Sequence, residues 1–331
     1  MRKYNVAVVG ATGLVGSTFL KVLKEYDFPI ENLTLFASER SAGKTIEYNG
    51  KEYVLQKLEK GCFKGIEIAL FSAGGSVSQE WAPEAEASGA VVIDNSSAWR
   101  MVKECALIVP EINLNAFDGA RKIVANPNCS TIQSVLPLKP LHEKFGLKRV
   151  IYSTYQAVSG SGQKGKNDLI RTLNGEEPAF YPYNISKTCI PQIDVFTDNG
   201  YTKEELKMVN ETRKILNLPN LPVSATCVRV PVLNAHAVTI MVELEKPFTL
   251  EEVRNALASQ KGIVVVDDPA NSIYPVSTIA NDNDAVYVGR IRKDLSCENG
   301  IILYAVSDNI RKGAAANAVQ IAEALIKAEK I

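Results

Sequence analysis

Apolar positions along this chain fall into two rhythms. Near the N-terminus Asn5–Val9 is a short Val-rich run, Leu14–Tyr26 repeats its apolar residues at helical spacing, and Leu33–Ala37 is again compact and apolar. Ile68–Phe71 and Val91–Ile93 are short runs of the kind buried on both faces, with a helical stretch around Val77–Ala87 between them. Strand alternating with helix predicts a parallel, doubly wound sheet. After about residue 128 the pattern changes. Cys129–Phe145 reads as a helix, which Pro137 and Pro140 are expected to kink. Longer strands are predicted at Lys148–Gln156, Ala225–Val230, Ala235–Leu244, Ala285–Ile291 and Ile301–Val306, which suggests an α+β domain with a largely antiparallel sheet. The closing segment, Ile310–Lys330, is an Ala-rich helix expected to return to the first domain. The predicted division is therefore 1–127 plus 308–331 against 128–307.

Between the first strand and the first helix stand Gly10, Ala11, Thr12, Gly13, Leu14, Val15 and Gly16. Glycines allow a tight turn and let the backbone approach a pyrophosphate, while the helix start offers amides and the positive end of its dipole. This is a Rossmann-type dinucleotide site. The second strand leads into Ser38-Glu39-Arg40-Ser41. A guanidinium among hydroxyls suits a 2′-phosphate and so favours NADP; Glu39, if it points inward, instead suits the ribose hydroxyls.

Lys plus Arg and Asp plus Glu both number 37, so the formal charge is zero, which argues against a nucleic-acid or polybasic membrane surface. The N-terminal apolar run is only the four residues Val6 to Val9, far short of a signal core or a membrane span, and a cytoplasmic enzyme is expected. The six cysteines form no CxxC pair and there are only two histidines, so neither a disulfide framework nor a zinc or other metal site is expected.

One cysteine is in a suggestive place. Cys129, in Asn126-Pro127-Asn128-Cys129-Ser130-Thr131, starts a helix, where the dipole and the amides favour thiolate. The same amides are expected to hold the oxyanion of a tetrahedral intermediate. His142 lies late in a helix and reads as structural. His236 opens a strand after Arg229-Val-Pro-Val-Leu-Asn-Ala and is the favoured base for the cysteine.

Over nearly its whole length the chain resembles the aspartate-semialdehyde dehydrogenase family. The matching segments are GATGLVG, FASERSAGK, DNSSAWRM, VPEIN, NPNCSTIQ, STYQAVSGSG, DNGYTKEELKM, RVPVLNAH and DNIRKGAAANAVQIAEAL. The resemblance implies NADPH-dependent reductive dephosphorylation of L-aspartyl 4-phosphate to aspartate semialdehyde through a cysteine thioester. It also implies biosynthesis of lysine, threonine and methionine, and at least a homodimer built through the second domain. It carries the nucleophile to Cys129, the general base to His236 and the substrate-orienting glutamine to Gln156. Arg229 falls at the substrate carboxylate, Glu204 at the amine, and Arg100 and Lys207 at the phosphate. Cofactor contacts fall on Gly10, Thr12, Gly13, Leu14, Val15, Arg40, Ser41, Ser159, Gly160 and Asn317. The nearest rival, N-acetyl-γ-glutamyl-phosphate reductase, typically has Asn-Pro-Gly-Cys-Tyr where this chain has NPNCST. A catalytically silent NADP-binding protein would lack the cysteine or the histidine. One departure stands out: Ala237 and Val238 replace the Ser-Glu that usually follows the histidine, leaving the group that orients its ring unspecified.

Overall fold

The computed structural model describes residues 2–331, which form two compact units, 2–127 with Ala314–Ile331 and Asn128–Gly313. In the first unit β1 (Tyr4–Val9) leads through the glycine turn into α1 (Leu14–Glu25), which buries Phe19, Leu20, Val22 and Leu23 along one stripe. Then come β2 (Ile30–Phe36), the hairpin β3 (Thr45–Tyr48) and β4 (Lys51–Val54), β5 (Ile68–Phe71), α2 (Gly75–Ala87), β6 (Val91–Asp94), β7 (Ala106–Leu107), the short helix α3 (Pro110–Asn113) and β8 (Ile123–Ala125). Six of these strands form a sheet ordered β2-β1-β5-β6-β8-β7, with every pairing parallel. Parallel strands are buried on both faces, which is why Ile68–Phe71 is a continuous apolar run.

The second unit opens with α4 (Cys129–Phe145), followed by β9 (Leu147–Gln156), α5 (Gly162–Leu173), α6 (Lys203–Leu216), β10 (Val223–Arg229), β11 (His236–Leu244) and α7 (Leu250–Ser259). It ends with β12 (Ile263–Val265), the short α8 (Ser277–Ala280), β13 (Val286–Lys293) and β14 (Gly300–Ser307). The sheet order is β10-β9-β11-β14-β13-β12. Three of its five pairings are antiparallel; β10 with β9 and β12 with β13 are parallel. The helix α4 packs against α6, α7, β9, β11 and β14. It runs as one helix from Cys129 to Phe145 with both prolines inside it, over the expected span. Twelve of its seventeen residues are buried, and that packing outweighs the lost backbone bonds.

The closing helix α9 (Ala316–Lys327) packs beside α1 in the first unit, where Val319, Ile321, Ala322 and Leu325 join its core. The chain re-enters that unit at Ala314 rather than 308. Residues 308–312 are tied into the second unit: Asp308 accepts the amide of Asp282, and the Arg311 guanidinium grips Asp284 with both Nε and Nη2. The segment Arg311–Ala315 is a single π-helical turn, which the sequence reading had merged into one regular helix.

Candidate functional site

In the first unit the glycine turn is built for close approach. A Cβ on Gly10 would stand 2.4 Å from the Ser72 carbonyl oxygen, and one on Gly16 only 2.0 Å from that of Gly10. Thr12 and Gly13 are exposed, Leu14 and Val15 half-buried, and no side chain caps the first amides of α1. That leaves a backbone cradle of the kind that fits a pyrophosphate. Glu39 and Arg40 are exposed on the turn after β2, with Ser41 half-buried beside them. Asn317 is fully buried and its Nδ2 donates to the carbonyl of Ile108 and to Asn126 Oδ1, so its amide ties α9 to two loops of its own unit. Arg100 is buried with its guanidinium held by two carbonyls, Asn126 (3.0 Å from Nε) and Asn95 (2.7 Å from Nη2).

In the second unit Asn128 caps the helix that begins at Cys129. Its Oδ1 accepts the amides of Ser130 (2.9 Å) and Thr131 (3.2 Å), and its carbonyl accepts that of Ile132. These three amides are therefore committed to the cap. Asn128 is itself held by two buried carboxylates: its amide donates to Glu211 Oε2 at 2.6 Å and its Nδ2 to Glu204 Oε1 at 2.9 Å. Behind Cys129 the chain passes at Gly313, where a Cβ would fall 2.8 Å from that of the cysteine.

Glu204 gathers more than Asn128. The same Oε1 accepts from Gln156 Nε2 at 3.1 Å, and Oε2 pairs with Lys207 Nζ at 3.1 Å. Lys207 also meets Asp194 at 2.9 Å. Burial opposes ionisation of Glu204, but Lys207 and the hydrogen bonds from Asn128 and Gln156 outweigh it and hold the carboxyl below its usual range. The ammonium shows the mirror image: burial disfavours its charge, while Glu204 and Asp194 raise its pKa. The structure brings Gln156, Glu204 and Lys207 together; the sequence gives no sign of Asp194, which sits in a left-handed turn at φ 68°.

The histidine side is made mostly of backbone. Ala157 donates its amide to His236 Nδ1 at 2.9 Å, and its carbonyl accepts Arg229 Nη1 at 2.7 Å. Gly160 lies flat on both side chains; a Cβ there would be 2.7 Å from Arg229 Nη1 and 3.1 Å from His236 Nε2. Ala235 is held at φ 68° by a bond from its amide to Asn309 Oδ1, which aims the next residue, His236, inward. Asn309 also bonds Ser159, so both polar ends of its amide serve this turn. His236 is fully buried, and its Nε2 makes no hydrogen bond, to Cys129 or any other described group. Burial, and then the charge of Arg229, hold the imidazole well below its ordinary pKa, so it is neutral. The Ala157 amide answers what orients the ring in place of a Ser-Glu pair.

Two family models match the chain: semialdehyde dehydrogenase, NAD binding domain, over residues 5–120, and semialdehyde dehydrogenase, dimerisation domain, over residues 138–312. The two-unit fold is that of a semialdehyde dehydrogenase, an oxidoreductase with an NAD(P)-binding domain. Among named relatives, aspartate-semialdehyde dehydrogenase of Aquifex aeolicus is 54% identical over 98% of both chains. The crystal structure of aspartate semialdehyde dehydrogenase II from Vibrio cholerae complexed with ASA superposes with a TM-score of 0.95, at 47% identity over 99% of each chain. That of the Candida albicans aspartate semialdehyde dehydrogenase with NADP gives 0.79 at 25% identity over the full length of both. The chain belongs to the aspartate-semialdehyde dehydrogenase family. Among the described residues no helix is long and apolar enough to cross a membrane, and no group of His, Cys, Asp and Glu is arranged to hold a metal ion.

Proposed function

We propose that this protein reduces L-aspartyl 4-phosphate to L-aspartate 4-semialdehyde with NADPH, releasing phosphate, and that the acyl group is carried as a thioester on Cys129. The observation that carries this reading is the convergence on Asn128, the cap of the Cys129 helix, of a network containing Glu204, Gln156 and Lys207. Written from the aldehyde side, Cys129 thiolate adds to the carbonyl carbon, and loss of hydride leaves the thioester, which phosphate then attacks. A nicotinamide cofactor bound at the glycine turn supplies the hydride acceptor. Arg229 binds the substrate carboxylate, Glu204 its ammonium, and Gln156 orients it; a thioester keeps the acyl group activated until phosphate arrives. Lys207 is the phosphate cation of the second unit and Arg100 that of the first. Arg40 and Ser41 favour NADP over NAD, and Ser159 and Gly160 are further cofactor contacts. We place the enzyme in the cytoplasm, in the biosynthesis of lysine, threonine and methionine.

The reading includes a homodimer. On one face of the second sheet, strand register aligns Ile151, Met241 and Ile302 across three strands, all half-buried. Beside this row Tyr155 is 41% exposed with its ring 6.2 Å from that of Tyr304. A second copy covers such a face by the same patch on both protomers.

The test is phosphate-dependent reduction of NADP by aspartate semialdehyde. Turnover is expected with NADP well above NAD, and Cys129→Ala is expected to abolish it while leaving NADP binding intact. Turnover that ignores phosphate, or a substantial rate in purified Cys129→Ala, overturns the reading.

A further inference from the structure

Between α5 and α6 the chain forms no helix and only isolated strand bridges, yet part of it is pinned as firmly as a core element. We propose that Tyr181, in this strap, is a positioning residue for the substrate carboxylate site: its hydroxyl, on Ser161, holds the turn Val158–Ser161 against the guanidinium of Arg229. This rests on the function proposed above, which gives Arg229 the substrate carboxylate, and it adds the residue that keeps Arg229 in place.

The strap is anchored near its start by a buried carboxylate. Asp168 of α5 accepts the amides of Ala179 (2.6 Å) and Phe180 (3.1 Å) on Oδ1 and that of Tyr181 (3.0 Å) on Oδ2. Three charge-assisted bonds on one carboxylate fix the backbone just where the tyrosine leaves it. Further on, Ser186 Oγ donates to the Thr172 carbonyl, and Ile190 exchanges both backbone hydrogen bonds with Arg229, each 2.9 Å. Val158, Leu169, Ile185 and Ile190 form a small core of their own, and Tyr181 packs against it. The ring is thus held by packing as well as by its backbone. Its hydroxyl reaches Ser161 Oγ at 2.9 Å. Burial pushes that hydroxyl above its ordinary pKa, so it stays a neutral donor; the Ser161 bond and the nearby charge of Arg229 pull the other way.

The turn between tyrosine and arginine has no slack. On one side a Cβ at Gly160 would meet Arg229 Nη1 at 2.7 Å. On the other a Cβ at Gly165 would stand 2.6 Å from the Tyr181 hydroxyl oxygen, 2.8 Å from Ser161 Cβ and 2.5 Å from the Val158 carbonyl oxygen. Glycine at both positions allows these close approaches. Arg229 Nη1 also donates to the Ala157 carbonyl, at the entrance to the turn, so where the turn sits decides where the guanidinium points. One strap therefore sets the main chain of Arg229 through Ile190 and its side chain through Tyr181. Ser159 has a separate holder in Asn309, which leaves the arginine as what Tyr181 governs.

Tyr181→Phe keeps the ring and its packing and removes only the bond to Ser161. KM for aspartate semialdehyde is expected to rise about three- to tenfold, the worth of one neutral hydrogen bond. KM for phosphate is expected to stay within about twofold, as for a separate site, because Lys207 is held by Glu204 and Asp194. Ser161→Ala is expected to match Tyr181→Phe, and the double variant to be no worse than either single one. An unchanged KM for the semialdehyde, an equal rise in KM for phosphate, or an additive double variant overturns the proposal. Hydrogen–deuterium exchange tests it without turnover. In Tyr181→Phe the amides of 158–161 are expected to exchange faster, while those of 179–181, still on Asp168, keep their wild-type rates. Unchanged exchange at 158–161 overturns the proposal whatever the assay shows. A wild type that does not turn over the semialdehyde refutes the proposed reaction instead, and the exchange measurement then decides the role of Tyr181 by itself.

Discussion

Within the second unit, two walls of the candidate site are built by opposite means. Around His236 the positioning groups are backbone atoms: the amide and carbonyl of Ala157, the bare Cα of Gly160, and the strained turn at Ala235. Around Glu204 they are side chains, namely Asn128, Gln156, Lys207 and Asp194. Backbone cannot change rotamer, so the first wall is rigid and dry. Long charged side chains can re-pair, so the second can adapt to an arriving anion. The contrast teaches that fixed hydrogen-bond geometry and exchangeable charge are supplied by different parts of one fold.

The largest expected effect comes from pressing on the rigid wall. Gly160→Ala places a methyl 2.7 Å from Arg229 Nη1 and 3.1 Å from the His236 ring. With no slack there, turnover is expected to fall about 100-fold, the cost of a displacement of roughly an ångström at a reacting centre. Steady-state kinetics beside a thermal melt checks this. A variant with wild-type kcat means the wall yields, and the contrast dissolves.

Acid separates the walls next. A neutral His236 has its folded pKa below the unfolded value, so the unfolded chain takes up the proton first. The stabilisation is complete above pH of about 6.5 and is lost as pH falls below it, by at most about 1.4 kcal/mol per unit. The Glu204 carboxyl is also depressed, but its contribution is complete above about pH 4.3 and disappears only below that. Denaturant melts between pH 7 and 5 are expected to show a decline in the wild type that His236→Gln lacks. The same slope in both proteins would assign the decline to other groups.

The smallest effect tests the adaptable wall. Asp194 competes with any anion for Lys207. Asp194→Asn is expected to lower KM for phosphate about two- to fivefold, since a partly exposed pair is worth up to about 1 kcal/mol. A KM that rises instead means that Asp194 aims the ammonium rather than occupying it.

The motifs made much of this legible. Glycines near residue 10, the NPNCST helix start and the seven-residue step from Arg229 to His236 all occupy the expected local structures. What escaped shares a physical reason. The Ala157 amide has no letter of its own, because every residue but proline carries one. Asn309 and Asp194 are ordinary turn residues whose partners, Ala235 and Lys207, only the fold reveals. Asn128 reads as a mere neighbour of the cysteine; its role as cap to the amides of Ser130 and Thr131 needs geometry. The small hairpin β3–β4 was also missed, since Thr45–Tyr48 and Lys51–Val54 lack a strong apolar alternation.

Ala157 links two events that are usually described separately. Its carbonyl is gripped by Arg229, the residue proposed to meet the substrate's carboxylate, and its amide orients the ring of His236. A pull on one is felt by the other within a single residue. If Arg229 takes the proposed carboxylate, its recognition is converted into alignment of the imidazole, and an aldehyde lacking that carboxylate is expected to react slowly even at saturation.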